Sequence, residues 1–97
     1  MIVERLTYHM KPGHAQEALD LLKGVRAKLE NPDGMRIYAP NIGPPSTVIV
    51  QDIEFEDMAT RETAWKEWFA RPEATEFMEK WPSLVESTTI EIWSLIE

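Results

Sequence analysis

Between Val48 and Trp81 the hydrophobic period of the chain changes once, and that change restricts the fold more than any other feature. In VIVQDIEFED the residues Val48, Ile49, Val50, Ile53 and Phe55 are β-branched or aromatic, with polar residues alternating in from Gln51 onward, as in a strand. From Asp57 the spacing becomes helical: Ala64, Trp65, Trp68 and Phe69 share one face, with Met58 one heptad before Trp65. Arg71-Pro72 ends this helix, because a residue preceding proline is driven out of the α region. A shorter helix follows to Trp81-Pro82. Three of the four tryptophans lie here, so the two helices are expected to carry much of the core.

The flanking segments supply a sheet. Ile2 to Met10 reads as a strand with Ile2, Glu4, Leu6, Tyr8 and Met10 on one face and Val3, Arg5, Thr7 and His9 on the other. Lys11-Pro12-Gly13 is a turn, and Ala15, Ala18, Leu19, Leu22 and Val25 then mark a helix of about four turns beginning near His14. Gly24 inside it costs roughly 1 kcal/mol against Ala, so either the backbone packs closely there or the helix is locally weak. Asn31-Pro32-Asp33-Gly34 stops the helix, and Met35 to Ala39 forms a short strand. Pro40 to Thr47, with three prolines, is a stiff connection. Ser87 to Ile96 is the last strand, with Thr88, Ile90, Ile92, Ser94 and Ile96 on one face and Thr89, Glu91, Trp93 and Leu95 on the other.

The order β-α-β-β-α-β, plus one extra short helix, predicts an α+β ferredoxin-like sandwich over residues 1–97 as a single domain. Right-handed crossovers put the helices on one side of a four-stranded antiparallel sheet in the strand order 4-1-3-2. If Ile90, Ile92 and Ile96 lie under the helices, then Glu91, Trp93 and Leu95 point the other way. Likewise, Ile49, Ile53 and Phe55 under the helices leave Val48, Val50, Asp52 and Glu54 facing outward. A Trp and several aliphatic residues in water beside carboxylates form a patch that a second copy can cover. A chain of 97 residues buries only about 60 to 65% of its unfolded surface alone. A homodimer closed as a barrel is therefore expected.

Composition removes several function classes. The net charge is -7 and the ten basic residues form no run, which argues against nucleic acid or an anionic membrane as partner. With no cysteine there is no disulfide, zinc-thiolate site or thiol nucleophile. No apolar run approaches a membrane span, and MIVERLTY lacks a signal peptide's basic and apolar blocks, so a cytoplasmic protein is expected.

In MIVERLTYHMKPG and IVQDIEFEDMATRETAWKEWFARPEATEFMEKW the chain resembles the NIPSNAP family of the dimeric α/β-barrel superfamily. The resemblance implies a homodimer whose two sheets face each other, and it carries no catalytic motif. Members often have Glu-Leu-Arg-Thr-Tyr in the first strand; here Glu4-Arg5-Leu6-Thr7-Tyr8 exchanges the middle pair, which moves the arginine to the other face. The superfamily also holds cofactor-free antibiotic-biosynthesis monooxygenases and heme-degrading monooxygenases. Trp68 would match the tryptophan of the heme-degrading group, but the first strand has no asparagine and Glu73 to Trp81 has no histidine to ligate iron.

The candidate ligand-binding set is Arg5, His9, Arg36, Tyr38, Asp52, Glu91 and Trp93, with Glu54 beside them on the proposed barrel face. Arg36 would hold an acidic group, and Trp93 or Tyr38 would stack on a ring. The same charges also serve a plainer purpose, pairing within the sheet and fastening two copies together. His9 and His14 are too few for a metal site, and His9 is a general-base candidate only through its pKa near neutrality. No nucleophilic triad, phosphate loop or paired acid motif is present. The expectation is thus a homodimeric small-molecule-binding module with no catalytic residues, metal or cofactor assigned. The alternatives are a cofactor-independent monooxygenase acting on an aromatic or polyketide-like substrate, and an interaction platform whose interior is filled by side chains.

Overall fold

The computed structural model describes Met1–Glu97. Strand β1 (Ile2–Met10) leads through a turn to helix α1 (Ala15–Ala27), with Gly13 at a φ of 83° that only glycine adopts without strain. A single 3-10 turn at Pro32–Gly34 then enters β2 (Met35–Tyr38). After the proline-rich connection come β3 (Val48–Phe55), α2 (Met58–Phe69) and α3 (Pro72–Lys80). A second 3-10 turn at Trp81–Ser83 precedes β4 (Val85–Ser94). No helix is long and apolar enough to cross a membrane.

The four strands form one antiparallel sheet in the order β2-β3-β1-β4, the ferredoxin-like α+β arrangement that the element order predicts. Leu6, Tyr8, Met10 and Ile49 face Ala18 and Leu22 of α1, and Trp81 and Leu84 close the cluster from beyond α3. Tyr8 and Trp81 meet edge to face at 4.9 Å, and Phe77 stacks on Trp81 at 4.7 Å.

Three features depart from the sequence reading. β4 begins at Val85 rather than Ser87, because a register shift lets Met10 pair with Val85 while His9 pairs with Ser87. The extra residue, Glu86, breaks the alternation from which the strand start is read. Secondly, α2 places none of its residues among the fully buried ones, and Phe69 remains 58% exposed. Much of the deep core comes instead from β1, α1 and the Trp81 turn. Thirdly, Ile90 and Ile92 do share the helix-side face, opposite Leu6 and Glu4, yet they stay 57% and 41% exposed. The strand ends at Ser94, so Ile96 lies beyond it and is also exposed. The helices cover the other strands and leave β4 at the uncovered margin.

Candidate functional site

The register places every candidate residue of the sequence reading on the sheet face away from the helices. Arg5 lies level with Asp52 on one side and Glu91 on the other, and Arg36 is level with Asp52. Tyr38 aligns with Val50, Trp93 with Val3, and His9 with Val48 and Ser87. The Arg5 guanidinium donates twice to Asp52, Nε to Oδ1 and Nη2 to Oδ2, each at 2.8 Å. That hydrogen bonding raises the Arg5 pKa above its ordinary value. Asp52 is buried beneath this fork, and Arg36 Nη1 pairs with Glu54 Oε1 at 3.2 Å. Trp93 is 53% exposed on the same face. His9 and His14 are both exposed, and no group of three His, Asp or Glu side chains is placed to hold a metal ion.

On the opposite side of the sheet the structure holds two features that the sequence reading missed. The first is a cleft of about 190 Å³ between α1 and α2, over β2 and β3. Leu22, Val25 and Leu29 form one wall, and Trp65, Trp68 and Phe77 form the other. The floor carries two polar groups. Tyr8 donates its hydroxyl to Gln51 Oε1 at 2.6 Å, and the Gln51 amide nitrogen donates to Met35 sulfur at 3.3 Å. Burial, reinforced by the negative charge of Glu4, pushes the Tyr8 pKa well above the ordinary phenol value, so the hydroxyl stays protonated. Gln51, a lone amide on the helix-side row of β3, was the available signal.

The second feature is Glu4, which is fully buried yet bonded on both oxygens. Arg61 Nε donates to Oε2 at 2.6 Å and Trp65 Nε1 to Oε1 at 2.7 Å. Arg61 and Trp65 are one helical turn apart, so both reach the same carboxylate. This network floors a groove of about 430 Å³ between α2 and β4, bordered by Phe69 and Ile90. A third groove, about 370 Å³ between α1 and α3, shares Val25, Trp68 and Phe77 with the cleft and includes Gly24. A Cβ built on Gly24 meets nothing within 4 Å, so close backbone packing does not account for this glycine.

Comparison with known proteins fits this architecture. A NIPSNAP family protein of Agrobacterium tumefaciens superposes with a TM-score of 0.85 at 20% identity, over 99% of this chain and 86% of that one. An uncharacterized NIPSNAP-like domain protein of Burkholderia xenovorans gives 0.80 at 23% identity, over 98% and 84%. A Deinococcus radiodurans protein described as a candidate antibiotic biosynthesis monooxygenase gives 0.73 at 17% identity, over 100% and 94%. At such identities the likeness concerns the fold. No curated protein matches the sequence. The NIPSNAP family model, however, matches residues 3–96, and this chain belongs to the NIPSNAP family.

Proposed function

We propose that the protein is a homodimeric small-molecule-binding module, each subunit taking one largely apolar organic molecule in the cleft between α1 and α2. The cleft is the observation that carries this reading. A cavity of about 150 Å³ lined by aliphatic and aromatic side chains accepts benzene, so the 190 Å³ here suits a single substituted ring. Trp65 and Trp68 offer ring faces, and the Tyr8 hydroxyl offers its remaining acceptor capacity to a polar substituent. In this reading Arg5, His9, Arg36, Tyr38, Asp52, Glu91 and Trp93 belong to the surface joining the two copies. Support for that surface comes from exposed Trp93 and Tyr38 beside paired charges on a face that no helix covers.

Cofactor-independent oxygenation is less well supported. It requires a base that makes the electron-rich anion of the substrate. The cleft lining carries no carboxylate, imidazole or amine, and its one ionisable group, Tyr8, is held protonated by burial.

Titration with 3-nitrophenol, a single substituted ring, followed by quenching of tryptophan fluorescence, tests the reading. Saturable quenching is expected in the natural chain and is expected to disappear in Leu22→Trp, which fills the cleft. Equal quenching in both proteins would place the probe elsewhere and remove the argument.

A further inference from the structure

We infer that the molecule taken by the cleft is a neutral aromatic carbonyl compound, an aldehyde, ketone or amide, and that Gln51 selects it by donating an amide N–H to the carbonyl oxygen. This rests on the cleft reading of the proposed function, and it adds the chemical class of the ligand and the residue that recognises it.

Gln51 is 4% exposed, on the helix-side row of β3, and its carboxamide is engaged at both ends. The oxygen accepts from the Tyr8 hydroxyl at 2.6 Å. The nitrogen donates one proton to the Met35 thioether at 3.3 Å, and no other atom of the chain accepts its second. A thioether is a weak acceptor. The buried carboxylates of Glu4 and Asp52 take strong donors, and Tyr8 gives its proton to an amide oxygen; the Gln51 nitrogen alone relies on sulfur. Met35 and Gln51 both line the cleft, so this weak bond stands at its surface.

The same bonds fix which way the amide points. Turned over, its oxygen would face a sulfur that has no proton to give, and the Tyr8 proton would lose its acceptor. Only with the nitrogen toward Met35 are both bonds made, so the floor of the cleft presents N–H.

Other donors around the cleft are spoken for. The Tyr8 proton goes to Gln51, and the Trp65 indole proton goes to Glu4. Trp68 bonds nothing within the chain, but no buried side-chain polar atom lacks a partner, so its indole nitrogen is within reach of water. Gln51 is thus the buried donor left for a ligand. A carbonyl oxygen is a stronger acceptor than sulfur, and it satisfies a donor whose burial otherwise costs free energy.

Charge decides that the ligand is neutral. No residue lining the cleft carries a cation that could offset an anion. The negative charge of Glu4 also reaches the floor, where it acts on Tyr8. A carboxylate would lose its water there and find no counter-ion. An aryl acid is therefore rejected where a carbonyl of the same shape is accepted.

Acetophenone, α-methylstyrene and benzoate have nearly the same shape and set a ketone, a vinylidene carbon and a carboxylate against Gln51. Ligand-observed NMR measures their dissociation constants in the natural chain and in three variants. Tyr8→Phe is the reference and keeps the donor. Tyr8→Phe with Gln51→Met removes the donor together with the phenol that would otherwise turn to the ketone, and loss of both partners of a hydrogen bond is nearly neutral for stability. Between these two, the preference for ketone over hydrocarbon is expected to fall about tenfold, the worth of one hydrogen bond. Met35→Leu conserves volume and removes the sulfur, so the preference is expected to rise, because the ketone then supplies the only partner of the nitrogen. The carbonyl stretch of bound acetophenone should lie below its value in hexane and return toward it in the double variant. Benzoate is expected not to bind. A preference unchanged in the double variant or in Met35→Leu, an unshifted band, or benzoate bound as tightly as the ketone would overturn the inference and leave the cleft reading in place. Should the double variant fail to fold, Met35→Leu, the band and benzoate still decide it. Failure of both acetophenone and α-methylstyrene to bind the natural chain, or their equal binding to Leu22→Trp, would instead remove the cleft reading itself.

Discussion

The indole nitrogen of Trp65 donates to the carboxylate of Glu4 at 2.7 Å, tying α2 to the middle of β1 across a sequence distance of 61 residues. Arg61 binds the other oxygen, so a buried negative charge is both neutralised and hydrogen-bonded on each oxygen. α2 has no fully buried apolar residue, and this polar clamp gives it a specific seat on the sheet. The same clamp turns the Trp65 indole, which also forms part of the cleft wall.

Breaking the clamp from the helix side should be costly. Arg61→Ala leaves Glu4 buried with only the indole as partner, and loss of one member of a buried pair typically costs about 3 kcal/mol or more. Urea unfolding measures it. A loss no larger than that of an exposed ion pair would mean that water reaches Glu4.

Tyr8→Phe keeps the ring in the core but leaves Gln51 Oε1 without its donor, for a loss of about 1 to 3 kcal/mol. There is a pH signature as well. A phenol whose pKa is raised on folding contributes stability that is fully present below the unfolded value of 10.0 and fades as pH climbs toward the folded value. Alkaline melting curves above pH 10 should therefore fall more steeply for the natural chain than for Tyr8→Phe.

Asp57 caps α2, accepting from the Thr60 backbone nitrogen at 2.8 Å and from the Thr60 hydroxyl at the same distance. These bonds depress its pKa below 3.8, so the contribution is present above that value and is lost as pH falls through the folded one. Asp57→Ala should melt earlier than the natural chain at neutral pH, and the gap should close in acid. A gap that is constant with pH would exclude the charged cap as its origin.

Gly24→Ala should stabilise the protein by about 1 kcal/mol, since helical propensity rises and the new methyl group meets nothing. Thermal melting reads this. Destabilisation would mean that the α1–α3 groove is tighter than the structure has it.

Trp93→Glu adds a carboxylate to the uncovered face near Glu54, with no cation freed to pair it. If the chain forms the proposed homodimer, sizing with light scattering is expected to give mostly monomer for this variant, and a variant as dimeric as the natural chain would take Trp93 out of the proposed interface.

Much of the fold was legible in local pattern. Alternation in Ile2–Met10 and Val48–Phe55 assigned each side chain to a face, and Arg71-Pro72 marked the break between α2 and α3. Because alternation together with strand order fixes register-level neighbours, the charged set Arg5, Asp52, Arg36 and Glu91 could be read as one surface from the sequence alone. The bulge at Glu86 could not, since one extra residue is invisible until two strands are paired. Nor could the cleft be foreseen. Its walls come from three helices and its floor from separate strands, and the gap between them depends on how far apart α1 and α2 settle. Glu4 likewise reads as one polar residue in an apolar row, and only the seating of α2 shows it to be bonded on both oxygens. Periodicity decides which way a side chain points, because that is set within one or two turns of backbone. What it meets there is decided by the packing of distant segments, which local spacing does not encode.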